Sequence, residues 1–140
     1  MALTAKRGAA ATNAAVAAMG ALLNSGYLDI YDSTGGTGQP TSADTAVGSQ
    51  VKLARLTFAA TAFLTPVAGV ATAGAIGSAA SALATGTATW FRCWKSDGVT
   101  AVYDGSVGTT GCDLNLATVS IVAGASVSVS ALTLTEIANE

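Results

Sequence analysis

From Tyr27 to Asp32 the chain alternates, with Leu28 and Ile30 falling on one face and Tyr27, Asp29 and Tyr31 on the other. A period of two is the mark of a strand, because successive side chains of an extended chain point to opposite sides of a sheet. Upstream, Val16, Met19, Leu22 and Leu23 recur at helical spacing in an alanine background, and Asn24-Ser25-Gly26 supplies a stop, so the spacing predicts a helix over about 8–24. Val51 to Ala59 predicts a second strand with Leu56 and Phe58 inward, after which Pro66 and Gly69 turn the chain into weaker strands near 68–76. The strongest strand signal runs from Thr85 to Lys95 and carries Trp90, Phe91 and Trp94; Ser96-Asp97-Gly98 is a hairpin turn into Val99 to Tyr103, which Asp104-Gly105 closes. Ala117 to Val122 and Ser126 to Thr135 alternate small polar with β-branched or leucine residues across a turn at Gly124 and are expected to pair with each other. Residues 33–50 are a run of turn-formers long enough to be a functional loop, expected to contact a partner. One helix followed by short strands and regular turns predicts a mainly β fold: an antiparallel β-sandwich of jelly-roll type with an N-terminal α-helix, one domain made of the helix (8–24) and the sandwich (27–135).

Composition sharpens this picture. A chain of 140 residues is long enough to bury a core without a metal or disulfide. Hydrophobic residues are 51% of it but aromatics only 6%, so alanine supplies much of the apolarity and the core must be thin. Charged residues are 10%, against about 25% in an ordinary soluble domain, which points to surface covered by partners. A net charge of -2 with six Lys and Arg offers no field for a nucleic-acid backbone, and no nucleic-acid partner is expected. The charge-free stretch from Leu56 to Phe91 could span a membrane by length alone. Pro66, Gly69, Gly74 and Gly77 interrupt it and Thr, Ser and Ala dominate it, so buried strands and no membrane partner are expected. Lys6 and Arg7 before an alanine-rich run imitate a secretory leader, but Thr12 and Asn13 break the run, which reads as a retained helix.

Candidate chemistry is sparse. Histidine is absent, which removes the commonest general base, the usual partner of nucleophilic serine and cysteine, and a versatile metal ligand. Cys93 and Cys112 form neither a C-x-x-C motif nor a zinc set; as a pair they could bridge, and buried thiols are the favoured expectation. Gly35-Gly36-Thr37-Gly38 is followed by Gln39-Pro40, and Gly69 and Gly74 by Ala75-Ile76, so neither glycine pair has the Lys and Ser/Thr of a phosphate loop. Asp97, Asp104 and Asp113 each lie near a predicted strand end, and turn-forming explains the Asp-Gly pairs better than a shared calcium or acid–base site. Trp90 and Trp94 share a strand face with Arg92 between them. Trp90 is expected in the core, while Trp94 stands between core and interface. No catalytic, cofactor-binding or metal-binding residue is assigned, no cofactor is expected, and the chain reads as a non-enzyme.

The segments GYLDIYD (26–32), TGTATWFR (85–92), YDGSVG (103–108), CDLNL (112–116) and SIVAG (120–124), in this order and spacing, resemble a small structural protein of tailed phages, the jelly-roll cement or decoration proteins of phage heads. The resemblance covers most of the chain from about residue 8. It implies a virion protein on the capsid exterior, made in the host cytoplasm, whose partners are the major capsid protein and itself, as a homodimer or else a trimer. Such a protein stabilises a shell by binding the assembled lattice better than free subunits, and exposed strand edges are expected to extend a capsid sheet. The interface candidates are Lys6, Arg7, Tyr27, Tyr31, Gln39, Pro40, Trp94 and Lys95. Competing expectations are a tail or baseplate component and a carbohydrate-binding sandwich that stacks sugars on Trp94, Tyr27 or Tyr31.

Overall fold

The computed structural model describes residues 4–79 and 81–136. Helix α1 spans Ala9–Leu22, as alanine's high helix propensity favours. It turns Val16 and Gly20 inward, with Leu23 just beyond its end also buried, and leaves Leu22 about half exposed (47%). The helix docks on its own chain. Gly20 lies against Phe63, the amide of Gly69 donates to Asn13 Oδ1 at 2.8 Å, and Asn24 Oδ1 accepts the amide of Ala62 at 2.9 Å. The exit is tight: a Cβ on Gly26 would sit 2.2 Å from the carbonyl oxygen of Trp94, so only glycine admits this approach.

Ten strands follow: β1 Tyr27–Tyr31, β2 Lys52–Phe58, β3 Val70–Thr72, β4 Ile76–Gly77, β5 Gly86–Thr87, β6 Trp90–Trp94, β7 Ala101–Gly108, β8 Leu114–Leu116, β9 Ser120–Ile121 and β10 Val129–Thr135. Eight form one sheet in the order β3-β10-β8-β7-β6-β1-β2-β4, and β5 pairs with β9 separately. All pairings are antiparallel except β7 with β8. The outermost strands β3 and β4 are joined by residues 73–75 alone, a step that reaches at most about 14 Å. The sheet must therefore curl until its two margins approach each other. The result is a mainly β, jelly-roll-like sandwich with one N-terminal helix, as the alternation predicts. Inside lie Leu28, Ile30, Leu56, Phe58, Phe91, Cys93, Leu114, Leu116, Leu132 and Leu134.

Several sequence expectations need correction. The run from Thr85 to Lys95 is two strands, because the amide of Ala88 turns to the carbonyl of Val119 and that of Thr89 to the carbonyl of Tyr31. Asp104-Gly105 lies inside β7 and does not close it. Asp104 is paired across the sheet, and Gly105 leaves room for the Phe91 ring, whose nearest carbons would stand 2.6 Å from a Cβ there. The last two runs do not pair with each other: β9 joins β5, while β10 lies between β3 and β8. The intervening strand β8 is only three residues long, too short for its Leu114–Leu116 alternation to stand out. Asp113 reaches across to β7, where it accepts both the amide (3.0 Å) and the hydroxyl (2.9 Å) of Ser106.

Candidate functional site

The face of β1 opposite the core is the unexpected part of the molecule. A strand with tyrosines and an aspartate on one side reads as half-buried, yet Asp29 has no exposed surface and Tyr31 only 3%. Register explains how the charge is accommodated. Arg55 of β2 lies opposite Asp29, Asp29 opposite Arg92 of β6, and Arg92 opposite Asp104 of β7, so four neighbouring strands contribute one row of alternating charge. Both arginines bind their carboxylates through two nitrogens, Arg55 to Asp29 at 2.7 and 2.8 Å and Arg92 to Asp104 at 2.7 and 2.8 Å. Two-pronged, charge-assisted contacts of this kind offset the several kcal/mol that desolvating each ion costs. Lys52 adds a further contact to Asp29 at 2.9 Å.

Aromatic rings flank the row. Tyr31 stacks on Trp90 with centroids 4.4 Å apart, the Arg92 guanidinium lies 5.5 Å from the Trp90 ring and 5.6 Å from that of Trp94, and Arg55 lies 4.8 Å from Tyr27. Burial, and after it the negative charge of Asp29, pushes the Tyr31 phenol well above its ordinary range and keeps it neutral. The bond to Asp29 in turn raises the Arg55 guanidinium against the opposing effect of its burial.

Residues 33–50 close over this face as a strap. Arg92 holds it from below, donating to the carbonyls of Thr45 (2.7 Å) and Ser42 (3.2 Å). Asp32 closes its base by accepting the amides of Val51 (2.7 Å) and Thr34 (3.1 Å) together with the Thr34 hydroxyl. Desolvation pushes the Asp32 carboxyl up, but these hydrogen bonds outweigh it and leave the group below its ordinary value. The loop expected to reach for a partner is thus tied to its own sheet, while most of its side chains remain exposed.

Between the strap and the β6–β7 hairpin opens a cleft of about 860 Å³ lined by Lys52, Arg55, Trp94, Asp44, Val99 and Thr100 among others. Lys52 and Arg55 are about one-third exposed there (35% and 34%). The indole Nε1 of Trp94 is the one buried side-chain polar atom without a hydrogen-bond partner among the described residues. At the hairpin tip Asp97 is held down to about 2, first by the Thr100 hydroxyl and then by the amides of Val99 and Thr100.

The sequence candidates are dispersed. Lys6 and Gln39 are exposed, Pro40 and Lys95 are half-buried, and Arg7 pairs with Glu136. Tyr27 is half-buried, Tyr31 lies beneath the strap, and Trp94 is half-buried at the cleft wall. Trp90 is buried as expected, but on the outer face with Tyr31 and not in the main core. Cys93 is buried, which raises its thiol well above the ordinary value, whereas Cys112 is only half-buried; neither is in a disulfide. Asp97, Asp104 and Asp113 serve a turn, an arginine and a serine, and the described residues contain no group of three His, Cys, Asp or Glu placed to hold a metal. No described helix is long and apolar enough to cross a membrane. The one sequence signal for the charge row is that Asp29, Arg55, Arg92 and Asp104 are charges inside predicted strands or at their ends, and it does not show which of them pair. The chain matches no protein-family model, no curated protein and no solved structure.

Proposed function

We propose that this protein is a non-enzymatic structural component of a phage virion, a cement protein that binds the outer surface of the major capsid protein lattice and stabilises the head. The observation that carries the reading is where charge is missing. Residues 56–91 and 114–135 contain no charged side chain. Within those segments Leu64, Val67, Leu83 and Val122 are 59%, 74%, 62% and 56% exposed. Large apolar side chains on an uncharged surface favour burial against another protein, at roughly 25 cal/mol per Å² of apolar area removed from water. Many copies on one shell add such contacts together, each stabilising the lattice by its own binding free energy. A homodimer on the shell's two-fold axes is the arrangement we propose, because a two-fold contact uses the same patch on both copies.

The test is the copy number of the protein relative to the major capsid protein in purified DNA-filled heads, by quantitative mass spectrometry. Near-stoichiometric amounts are expected. A handful of copies would move the protein to the tail or baseplate, and absence would end the capsid reading.

A further inference from the structure

We propose that the cleft between the strap and the β6–β7 hairpin is a binding site for an acidic saccharide, a sugar bearing a carboxylate on its ring. The inference is independent of the capsid reading and rests on the donors left unused around the cleft. Lys52, Arg55 and Arg92 bring three cations to the sheet face, and Asp29 and Asp104 answer two of them. Arg92 is fully engaged by Asp104 and the strap carbonyls. Lys52 and Arg55 share the single carboxylate of Asp29 and remain partly open to the cleft. The charge of Lys52 and Arg55 in excess of Asp29 therefore lies on the sheet side of the cleft, where a ligand can enter, while the Asp44 carboxylate lines the strap side. Beside it, Trp94 contributes an aromatic surface of the kind on which the C–H face of a sugar packs. Its indole Nε1 is buried without an acceptor among the described residues, and a buried donor of that kind is rare.

The remaining groups suit hydroxyls. Asp44, which lines the cleft from the strap, takes part in no ion pair among the described residues and can accept from a sugar; Thr100 also lines the cleft, its hydroxyl donating to Asp97. Other anionic ligands fit less well. At the centre of the floor β1 and β6 are each paired along both edges, so an acidic peptide lying across them finds no main-chain edge there to extend. Lys52 and Arg55, with Asp29 between them and Asp44 in the same cleft, are too few cations for a phosphate polymer, whose binding requires several.

Titration of the full chain with trigalacturonate, followed by tryptophan fluorescence and calorimetry, tests the site, with maltotriose as the neutral sugar and poly-glutamate as the acidic polypeptide. Trigalacturonate is expected to bind, more weakly as salt rises, and maltotriose to bind at least about tenfold more weakly. Lys52→Gln leaves Asp29 its two-pronged arginine, and Val99→Asp alters a side chain that is 76% exposed, so neither change disturbs the core. Each is expected to weaken trigalacturonate binding about tenfold while the thermal melt stays in place. Trp94→Phe, which keeps a ring but removes the N–H, is expected to weaken it further. No heat or fluorescence change at millimolar trigalacturonate would overturn the proposal, as would unchanged affinity in both Lys52→Gln and Val99→Asp. Poly-glutamate binding as tightly, with no effect of Trp94→Phe, would reassign the cleft to acidic polypeptides. None of these outcomes bears on head copy number, so the two readings fail separately.

Discussion

The side of the molecule built from β2, β1, β6 and β7 and the side built from β3, β4, β5 and β9 solve the same folding problem differently. The first has strands of five to eight residues, stacked aromatics and paired charges; the second has strands of two or three residues and no charged side chain. On the first side register is strongly specified. Slipping β1 by one residue would place Asp29 among the core leucines and Ile30 among the arginines, an error too costly to persist. On the second side Ala71, Ala79 and Ala82 bring little area to bury, and position is fixed by backbone bonds such as Ala79 with Val127 and Ala82 with Ala125. Specificity comes from side chains in one half and from the main chain in the other.

Breaking the charge row should therefore have the largest effect. Asp104→Ala strands the buried guanidinium of Arg92 and is expected to cost about 3–5 kcal/mol, read as a fall in the urea midpoint. A loss under about 1 kcal/mol would show that the strap carbonyls and indoles hold Arg92 by themselves. Next comes Gly105→Ala, which forces a methyl against the Phe91 ring and is expected to cost about 1–3 kcal/mol in the same measurement. On the other side, Thr85→Val removes only the acceptor of the Ala123 amide (2.9 Å) at an exposed site, for which about 1 kcal/mol or less is expected. Acid should act locally. Asp97 is depressed from 3.8 to about 2 in the folded state, so its contribution is complete above 3.8 and is lost as the pH falls through about 2; the amides of Val99 and Thr100 should shift in NMR over that window. The smallest change in stability, about 0.5 kcal/mol or less, is expected for Leu83→Ser and Val122→Ser in the free protein. If the capsid reading holds, these same two changes should lower occupancy on heads.

What could be read from the sequence divides along the same line. The helix, β1, β2 and the core positions Leu28, Ile30, Leu56 and Phe58 are legible because large apolar residues recur there at a clear period. Trp90, Arg92 and Trp94 sharing one face was legible for the same reason. The break between β5 and β6, the partners of β9 and β10, and strand β8 were not, because alanine, threonine and glycine give almost the same signal in strand and loop. Of the candidate site, Tyr27, Tyr31, Arg92, Trp94 and Asp104 stood out in the sequence, whereas Lys52, Arg55 and Asp44 did not, and neither did the assembly. Asp29 pairs with residues 26 and 63 positions away, and an unpaired charge in a strand gives no hint of which distant strand will answer it.

The short link between the first and last strands of the curled sheet also bears on how the protein behaves at high concentration. A sheet that leaves a long flat margin offers its main-chain groups to any passing strand, and neighbouring copies then grow into fibres. Here one margin is the three-residue β3, bridged at Val70 by Val67 and just beyond its end, at Ala73, by Phe63, and the other is the two-residue β4. Margins this short offer little main-chain pairing to a neighbouring copy. Copies of the chain at high concentration could then sit side by side without seeding a filament.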